Sequence, residues 1–258
     1  AAEFHDMDWL SEHVKPIEDV TIKSLTNEQT ILVLAGPKAR DVLKSCSRAD
    51  WSRDAFPWLS VRECYIGFAP ATVIGISFSG ELAYELHIPN AALYAAYKEL
   101  RRAGAAHGLR LFGTRATESM RMEKGFLNWK ADIRTEFDPY ETGLERFLTF
   151  DKGEFIGRSA LEKRSQKKCK RKLVTLQIDC THAPAYSGAS LLKHGQVVGT
   201  VSSGAWGYRT QMNLAFAFVA IELTGLNTEF KLDLLGDLVS AKIIPSCPYD
   251  PKHLKMQG

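Results

Sequence analysis

The stretch Val73–Ile88, VIGISFSGELAYELHI, says more about the fold than any other part of the sequence. Two runs rich in apolar and aromatic residues, Val73–Phe78 and Leu82–Ile88, lie on either side of Ser79-Gly80. A small residue followed by glycine between two such runs is typical of a tight turn, so the stretch predicts two antiparallel strands joined as a β-hairpin.

The second of these runs alternates with the period of a half-buried strand. One face holds Leu82, Tyr84, Leu86 and Ile88, and the other holds Ala83, Glu85 and His87. Two interpretations of Glu85 stay open. It is a solvated acid on a wet face, or it lines a cavity, where its two oxygens accept hydrogen bonds from a ligand with two adjacent N–H donors.

The neighbouring segments add helices to this sheet. Ile31–Ala35 predicts a buried strand that leads through Gly36-Pro37 into a helix over Ala39–Leu43. A second helix is predicted after Pro89-Asn90, because apolar residues follow at helical spacing until Gly104. Strands and helices in this order favour an α+β fold.

A further helix is predicted over Thr114–Lys124, with Thr114 as its N-cap and Gly125 just beyond its end. Arg115 falls in the first turn, where the helix dipole disfavours a cation. Either this is a tolerated exposed residue, or the guanidinium reaches off the helix end to fix a carboxylate or a ligand.

The last third of the sequence is mainly strand. Strands are predicted at Leu173–Ile178, Ser190–Leu192, Val197–Val201, Leu214–Ile221 and within Glu229–Ile244. His194-Gly195 is a candidate type I′ turn. We expect an α+β domain over residues 1–162, a basic linker over 163–172, and a small β-barrel or sandwich over 173–258.

Charge and cysteine usage exclude several classes of protein. The net charge is +3, and the segment 163–172 holds seven basic residues and no acid. Such a short run favours a solvated linker or helix end, with no nucleic-acid partner; RNA binding through it is the weaker alternative. Five scattered cysteines predict reduced thiols in the cytoplasm or mitochondrial matrix. Cys180 and His182 lack a second ligand pair, so no metal site is expected.

Other features of the sequence exclude further classes of protein. No apolar run has the length of a membrane span, and neither a dinucleotide-binding glycine motif nor a phosphate-binding Walker loop occurs. The chain opens at Ala1 in a segment typical of the interior of a domain, so we expect part of a larger protein.

Six ordered motifs resemble the aminomethyltransferase (glycine cleavage T-protein) family. They are Ser77–Leu86, Gly113–Gly125, Trp129–Ile133, Glu141–Leu144, Phe155–Leu161 and Val198–Gly204. The Trp129–Ile133 motif and the closing Pro248–Pro251 are most similar to the C-terminal halves of sarcosine and dimethylglycine dehydrogenases and oxidases. The resemblance covers nearly the whole chain and implies a partial folate-binding fold followed by a C-terminal barrel.

The resemblance also implies a function and a set of site residues. In those relatives an FAD-containing half oxidises an N-methyl group, and the folate half captures the one-carbon unit on tetrahydrofolate. Glu85 matches the residue that anchors the pterin ring, and Arg115 matches the arginine that orients the catalytic carboxylate. The folate-binding set implied for this chain is Phe78, Tyr84, Glu85, Arg115, Trp129 and Trp206.

The sequence departs from the family pattern at three points, and the first and third of them favour an alternative. Phe78 replaces a tyrosine, Ala83 replaces a glycine, and the family's catalytic aspartate lies upstream of this sequence. No catalytic residue is therefore expected here, and FAD would come from a domain or partner chain outside it. The alternative is a non-catalytic regulatory or scaffolding homologue, such as a pyruvate dehydrogenase phosphatase regulatory-type subunit.

Overall fold

The computed structural model describes residues 2–258, which form two compact units. Unit 1 comprises the described residues up to Ser77, Glu81–Arg110 and Met256–Gly258; unit 2 comprises Phe78–Gly80 and Leu111–Lys255. None of the helices formed by residues 2–258 combines the length and apolar character that a membrane span requires.

Unit 1 is an antiparallel sheet with two helices on one face. Its elements are α1 (Glu3–His13), β1 (Gln29–Ala35), α2 (Ala39–Cys46), β2 (Val61–Ile66), β3 (Ala69–Ile74), β4 (Ala83–Pro89) and α3 (Leu93–Gly104), with single 3-10 turns at Asn90–Ala92 and Ala105–His107. The strand order is β1-β4-β3-β2. Val42 and Leu43 of α2 share one buried core with Val73 and Leu86 of the sheet.

The predicted hairpin is present as a strand pair, but its connection is longer than two residues. β3 and β4 are antiparallel neighbours. β3 ends at Ile74, because the backbone of Gly75 then hydrogen-bonds with Leu59 and Ser60 instead of with β4. The chain needs the eight residues 75–82 to return, so Ser79-Gly80 lies within a loop and is not a two-residue turn.

Unit 2 contains a closed barrel of six antiparallel strands, which confirms the predicted C-terminal barrel and excludes the sandwich. The strands are β5 (Arg171–Ile178), β6 (Ser190–Lys193), β7 (Gln196–Gly207), β8 (Met212–Ala220), β9 (Glu229–Leu234) and β10 (Asp237–Ile244), in the order β10-β5-β8-β7-β6-β9. His194 and Gly195 have φ of 52° and 77°, as a type I′ turn requires.

Helices of unit 2 precede and follow the barrel. They are α4 (Thr114–Lys124), α5 (Pro139–Thr142), α6 (Arg158–Ser165) and α7 (Leu254–Gln257), with 3-10 turns at Glu145–Phe147 and Ile221–Leu223; the last two residues of α7 are assigned to unit 1. α4 has the predicted bounds, but its N-cap is Gly113 and Thr114 is its first helical residue. Gly125 is the left-handed residue that ends α4.

The two compact units divide the chain at other positions than the sequence-based domains, whose bounds stay a prediction. Residues 111–162, expected in the first domain, group with the barrel. The basic segment 163–172 is not a plain linker either, since it begins in α6 and ends in β5. Three of its cations pair with acids of the segment 138–145, namely Arg164 with Asp138, Arg171 with Glu141 and Lys172 with Glu145. Lys163, Lys167, Lys168 and Lys170 stay exposed.

Candidate functional site

The sheet of unit 1 has one face packed on helices and one open face, and β4 contributes to both. The predicted alternation is confirmed on the packed side, where Tyr84, Leu86 and Ile88 are buried. Glu85 and His87 lie on the opposite face and are partly exposed. We call this opposite side the open face of unit 1.

Apolar side chains flank the two polar residues on the open face. In the strand register, Glu85 pairs with Val33 of β1 and with Ile74 of β3. Directly paired residues of neighbouring strands point to the same side of a sheet. Val33 remains 50% exposed and Ile74 is half-buried. A carboxylate in the middle strand therefore stands between apolar side chains from both neighbouring strands.

Glu85 keeps hydrogen-bonding capacity to spare. Its Oε2 lies 3.3 Å from Nε2 of His87, and their side chains are 36% and 25% exposed, respectively. Within residues 2–258 no other hydrogen bond to the Glu85 side chain is found. A carboxylate offers about four lone-pair sites on two oxygens, so most of its acceptor capacity is available to a ligand.

Tyr84 lies in the core and not on the open face. Its side chain is 2% exposed and packs edge-on against Trp51, with ring centroids 6.1 Å apart. Burial raises the pKa of its phenol. Adjacent residues of a strand point to opposite sides, so Tyr84 and Glu85 do not share a surface. We therefore assign Tyr84 to core packing and remove it from the candidate site.

The other four residues of the predicted set belong to unit 2. Phe78 is 39% exposed and stacks on Phe126, with ring centroids 6.1 Å apart. Arg115 is exposed in the first turn of α4, and Trp129 is 54% exposed beside a short turn. Trp206 is half-buried in β7. Among the described residues no ring contact joins Phe78, Trp129 and Trp206, so their role in binding remains a prediction.

A groove of about 690 Å³ opens on the barrel of unit 2, and Trp206 lines it. Its charged lining consists of Lys193, Lys231 and Lys242 together with Asp179 and Glu229. Lys193 Nζ lies 5.5 Å from the ring centroid of Phe230, and Lys231 Nζ donates to Ser240 Oγ at 3.0 Å. Lys193 and Lys231 are thus engaged with neighbouring groups of the barrel.

The C-terminal half of α4 carries charged side chains that are buried in unit 2. Arg121 is 1% exposed, and its Nη1 donates to Asp132 Oδ2 at 2.7 Å. Its Nη2 donates to Glu118 Oε2 and to Ser203 Oγ of β7, at 2.7 and 2.9 Å. Asp132 is fully buried and also accepts from Ser202 Oγ. The Arg121 guanidinium and the Asp132 carboxylate are thus enclosed by partners.

Glu123 and Lys124 are saturated in the same way. Glu123, 1% exposed, accepts from the backbone N–H groups of Arg209 and Thr210, both at 2.7 Å, and from the Arg209 guanidinium. Lys124, also 1% exposed, donates to the backbone oxygen of Asp250 at 2.6 Å and to its Oδ2 at 3.1 Å. We call Arg121, Glu123, Lys124 and these partners the α4–barrel network. Because the buried charged side chains of this network all have partners, we assign the network a structural role, which is to hold α4 in place.

Cys180 and His182 lie close together, with 3.4 Å between Sγ and Nδ1. Within the described part of the chain no third His, Cys, Asp or Glu joins them in a group that could hold a metal ion. All five cysteines are free thiols, and burial raises the pKa of Cys46 to about 12.

Sequence reasoning missed most of the surroundings of Glu85. The alternation of β4 already placed His87 on the same face, and this signal would have been sufficient to include His87 among the candidate site residues. Ile31, Val33, Thr72 and Ile74 could not be found in this way, because they become neighbours of β4 only through the strand order β1-β4-β3.

Comparison with known families agrees with this architecture. Residues 1–152 match the GCVT N-terminal domain, and residues 171–250 match the glycine cleavage T-protein C-terminal barrel domain. The chain belongs to the glycine cleavage T-protein family. The family assignment made from the six motifs is confirmed, and so is the aminomethyltransferase-type fold.

Individual relatives show how far the similarity extends. Human mitochondrial dimethylglycine dehydrogenase is 36% identical over 260 residues, covering 99% of this chain and 30% of that protein. An aminomethyltransferase of Koribacter versatilis is 30% identical over 243 residues, covering 93% of this chain and 63% of that protein. The chain thus spans about a third of the length of the first relative and less than two thirds of the second.

A solved structure supports the fold alone. The glycine cleavage system aminomethyltransferase T of Bartonella henselae superposes with a TM-score of 0.51 at 17% identity. The match covers 86% of this chain and 84% of that one.

Proposed function

We propose that this chain binds tetrahydrofolate, with the Glu85 carboxylate on the open face of unit 1 as the anchor for the pterin ring. The observation that carries the proposal is the combination of a partly exposed carboxylate with one long contact to His87 and apolar side chains on both sides. Family membership supports the choice of folate as the ligand.

The chemistry of the open face fits a pterin. The ring presents a 2-amino group and an adjacent N3–H, two donors that one carboxylate accepts in its plane. Its faces are flat and largely apolar, and Val33 and Ile74 offer apolar contact on either side of Glu85. A ligand site typically joins such apolar walls to a few polar groups that fix orientation.

In the larger setting, we propose that the chain is the folate-binding part of an FAD-linked N-methyl amine oxidoreductase of the sarcosine or dimethylglycine type. The similarity to dimethylglycine dehydrogenase supports this choice, and the mitochondrial names of the relatives favour the mitochondrial matrix as the compartment. FAD and the catalytic aspartate would then be supplied from outside this chain. The residues of this chain would orient the folate and exclude water while it captures the one-carbon unit.

The alternative hypotheses have less support. A regulatory or scaffolding role was suggested by Phe78 and by the upstream position of the aspartate, but Phe78 keeps an aromatic ring, which stacks on Phe126, and family membership supports folate as the ligand. RNA binding through residues 163–172 loses part of its basis, because three of the seven cations are paired with acids. The part of Phe78, Arg115, Trp129 and Trp206 in folate binding rests on the resemblance alone.

Calorimetric titration of the folded chain with tetrahydrofolate tests the proposal, with Glu85→Gln as the variant. Hydrogen bonds to a charged group contribute about 1.5–3 kcal/mol, so we expect roughly ten- to hundredfold weaker binding in the variant. Glu63→Gln is the matched control, because Glu63 is an exposed acid on the same side of the sheet. Equal affinity of the wild type and Glu85→Gln would refute the assignment of Glu85.

A further inference from the structure

His87 is hydrogen-bonded to Glu85 on the open face, and the proposed function leaves it without a role. Its Nε2 lies 3.3 Å from Glu85 Oε2, and its side chain is 25% exposed. In the strand register His87 pairs with Ile31 of β1 and with Thr72 of β3. Ile31 is 48% exposed, so the imidazole, like Glu85, stands on an open and partly apolar surface.

The contact between the two side chains is long, so His87 Nε2–H can turn from Glu85 to a ligand without giving up a strong hydrogen bond. A nitrogen–oxygen distance of 3.3 Å is longer than the usual 2.9–3.0 Å of an N–H···O bond. With its proton on Nε2, the imidazole presents a donor beside the two acceptor oxygens of Glu85. A ligand that faces the two side chains therefore meets two acceptors followed by one donor.

The edge of a pterin has the complementary order. Its 2-amino group and N3–H are donors, and the adjacent 4-oxo group is an acceptor. We propose that His87 Nε2–H donates to the 4-oxo oxygen while the Glu85 carboxylate accepts from the 2-amino group and N3–H. This inference rests on the proposed function and adds to it a residue that determines which pteridines bind.

The consequence is selectivity at C4 of the ring. In a 4-amino pteridine the oxygen becomes a second amino donor, which meets the N–H donor of His87. The same change removes the proton from N3, which then presents a lone pair to Glu85. A site built to bond a particular group rejects the analogue that lacks it, because the protein's own polar group is left unpaired. The pair of Glu85 and His87 therefore selects 4-oxo over 4-amino pteridines.

The test compares tetrahydrofolate with tetrahydroaminopterin, which carries an amino group in place of the 4-oxo group. Both are titrated calorimetrically into the wild-type chain, His87→Gln and His87→Phe. Gln keeps an N–H donor near the position of Nε2, whereas Phe keeps a ring of similar size without a donor. Urea unfolding midpoints check that both variants fold.

We expect His87→Phe to bind tetrahydrofolate about three- to tenfold more weakly, the effect of one lost hydrogen bond. Its affinity for tetrahydroaminopterin stays the same or rises, so the preference for the 4-oxo ligand shrinks by at least that factor. His87→Gln retains most of the preference. A purely structural role of His87 would weaken both ligands equally.

Two results would overturn the assignment and are distinguishable from failure of folate binding itself. If the wild type binds tetrahydrofolate but His87→Phe keeps the wild-type preference, His87 does not contact the 4-oxo group. If the wild type binds both ligands equally well, the site does not select at C4. If the folded wild type binds neither ligand, the proposed function fails and this inference fails with it.

Discussion

The open face of unit 1 and the α4–barrel network of unit 2 use the same types of residue in opposite ways. Glu85 is 36% exposed and has one long contact to His87. Glu123 is 1% exposed and accepts from two backbone N–H groups and a guanidinium. Both glutamates fall in motifs by which the family is recognised. The first has acceptor capacity to spare, and the second has almost none.

This difference separates the residue that we propose binds a ligand from a residue with a structural role. A buried charge that has all its partners holds two segments together, and removing one partner leaves the other charge uncompensated. A partly exposed charge with few partners contributes little to stability, but it can accept hydrogen bonds from a ligand. Motif resemblance alone does not distinguish these roles, whereas the hydrogen-bond inventory of each side chain does.

The largest effect is expected at the centre of the α4–barrel network. Arg121→Met would leave the fully buried Asp132 without its cation, and we expect about 3–5 kcal/mol of lost stability. Urea unfolding measures this loss. Arg115→Met is the matched control on the same helix, where Arg115 is exposed; we expect a change within about 0.5 kcal/mol. A loss of stability below about 1 kcal/mol for Arg121→Met would show that the α4–barrel network does not hold α4 in place.

The next effect concerns the end of α4. Gly125 and Gly143 both have φ of 76°, which L side chains rarely adopt. A Cβ at Gly125 would lie 2.2 Å from the backbone oxygen of Ser246, whereas a Cβ at Gly143 would meet nothing within 4 Å. We expect Gly143→Ala to cost about 1–2 kcal/mol and Gly125→Ala to cost a further 1–3 kcal/mol or so. Equal losses of stability in the two variants would mean that the backbone near Ser246 moves away from the new Cβ at Gly125 without a cost in stability.

A smaller effect is expected from pH at the Lys124–Asp250 pair. Burial acts to raise the pKa of Asp250, but the Lys124 ammonium and the backbone N–H groups of Leu254 and Lys255 outweigh it and lower that pKa. A carboxyl with a depressed pKa contributes stability above its unfolded value of about 4, and this contribution is lost as the pH falls through the folded value.

The unfolding free energy of the wild type should therefore decline between about pH 5 and pH 3 more steeply than that of Asp250→Asn. Urea unfolding at a series of pH values measures both slopes. Parallel slopes would mean that Asp250 does not couple protonation to folding.

The smallest effect is expected on the open face itself. Val33→Thr keeps the branched shape of the side chain but replaces a methyl group beside Glu85 with a hydroxyl. We expect about two- to fourfold weaker binding of tetrahydrofolate, the value of roughly one buried methyl group. Val61→Thr is the control, because Val61 is exposed on the edge strand β2, one strand beyond Ile74. Equal changes in both variants would remove Val33 from the site.

Local patterns in the sequence were sufficient for most of the fold. The alternation of Leu82–Ile88, the helix over Thr114–Lys124 and the His194-Gly195 turn depend on residues close together in the chain, and the structure has all three. The hairpin at Ser79-Gly80 was wrong, because the backbone of Gly75 pairs with Leu59 and Ser60, a competition that no local pattern reveals.

The candidate site was predictable only in part. The alternation placed Glu85 and His87 on one face, but it could not supply Val33, which lies 52 residues earlier in the chain and joins the site through β1–β4 pairing. The burial of Arg121 was equally hidden, since its partner Ser203 is 82 residues away. Contacts made across such separations depend on the tertiary fold.

Measuring both ligand affinity and stability in two variants tests the contrast between Glu85 and Glu123 most directly. Glu85→Gln and Glu123→Gln are each assayed for tetrahydrofolate affinity and for the free energy of unfolding. We predict that Glu85→Gln loses roughly ten- to hundredfold in affinity with stability within about 0.5 kcal/mol of the wild type. Glu123→Gln should lose about 3 kcal/mol of stability while its folded form keeps the wild-type affinity. The opposite pattern, in which Glu85→Gln destabilises the fold and leaves affinity unchanged, would contradict the account.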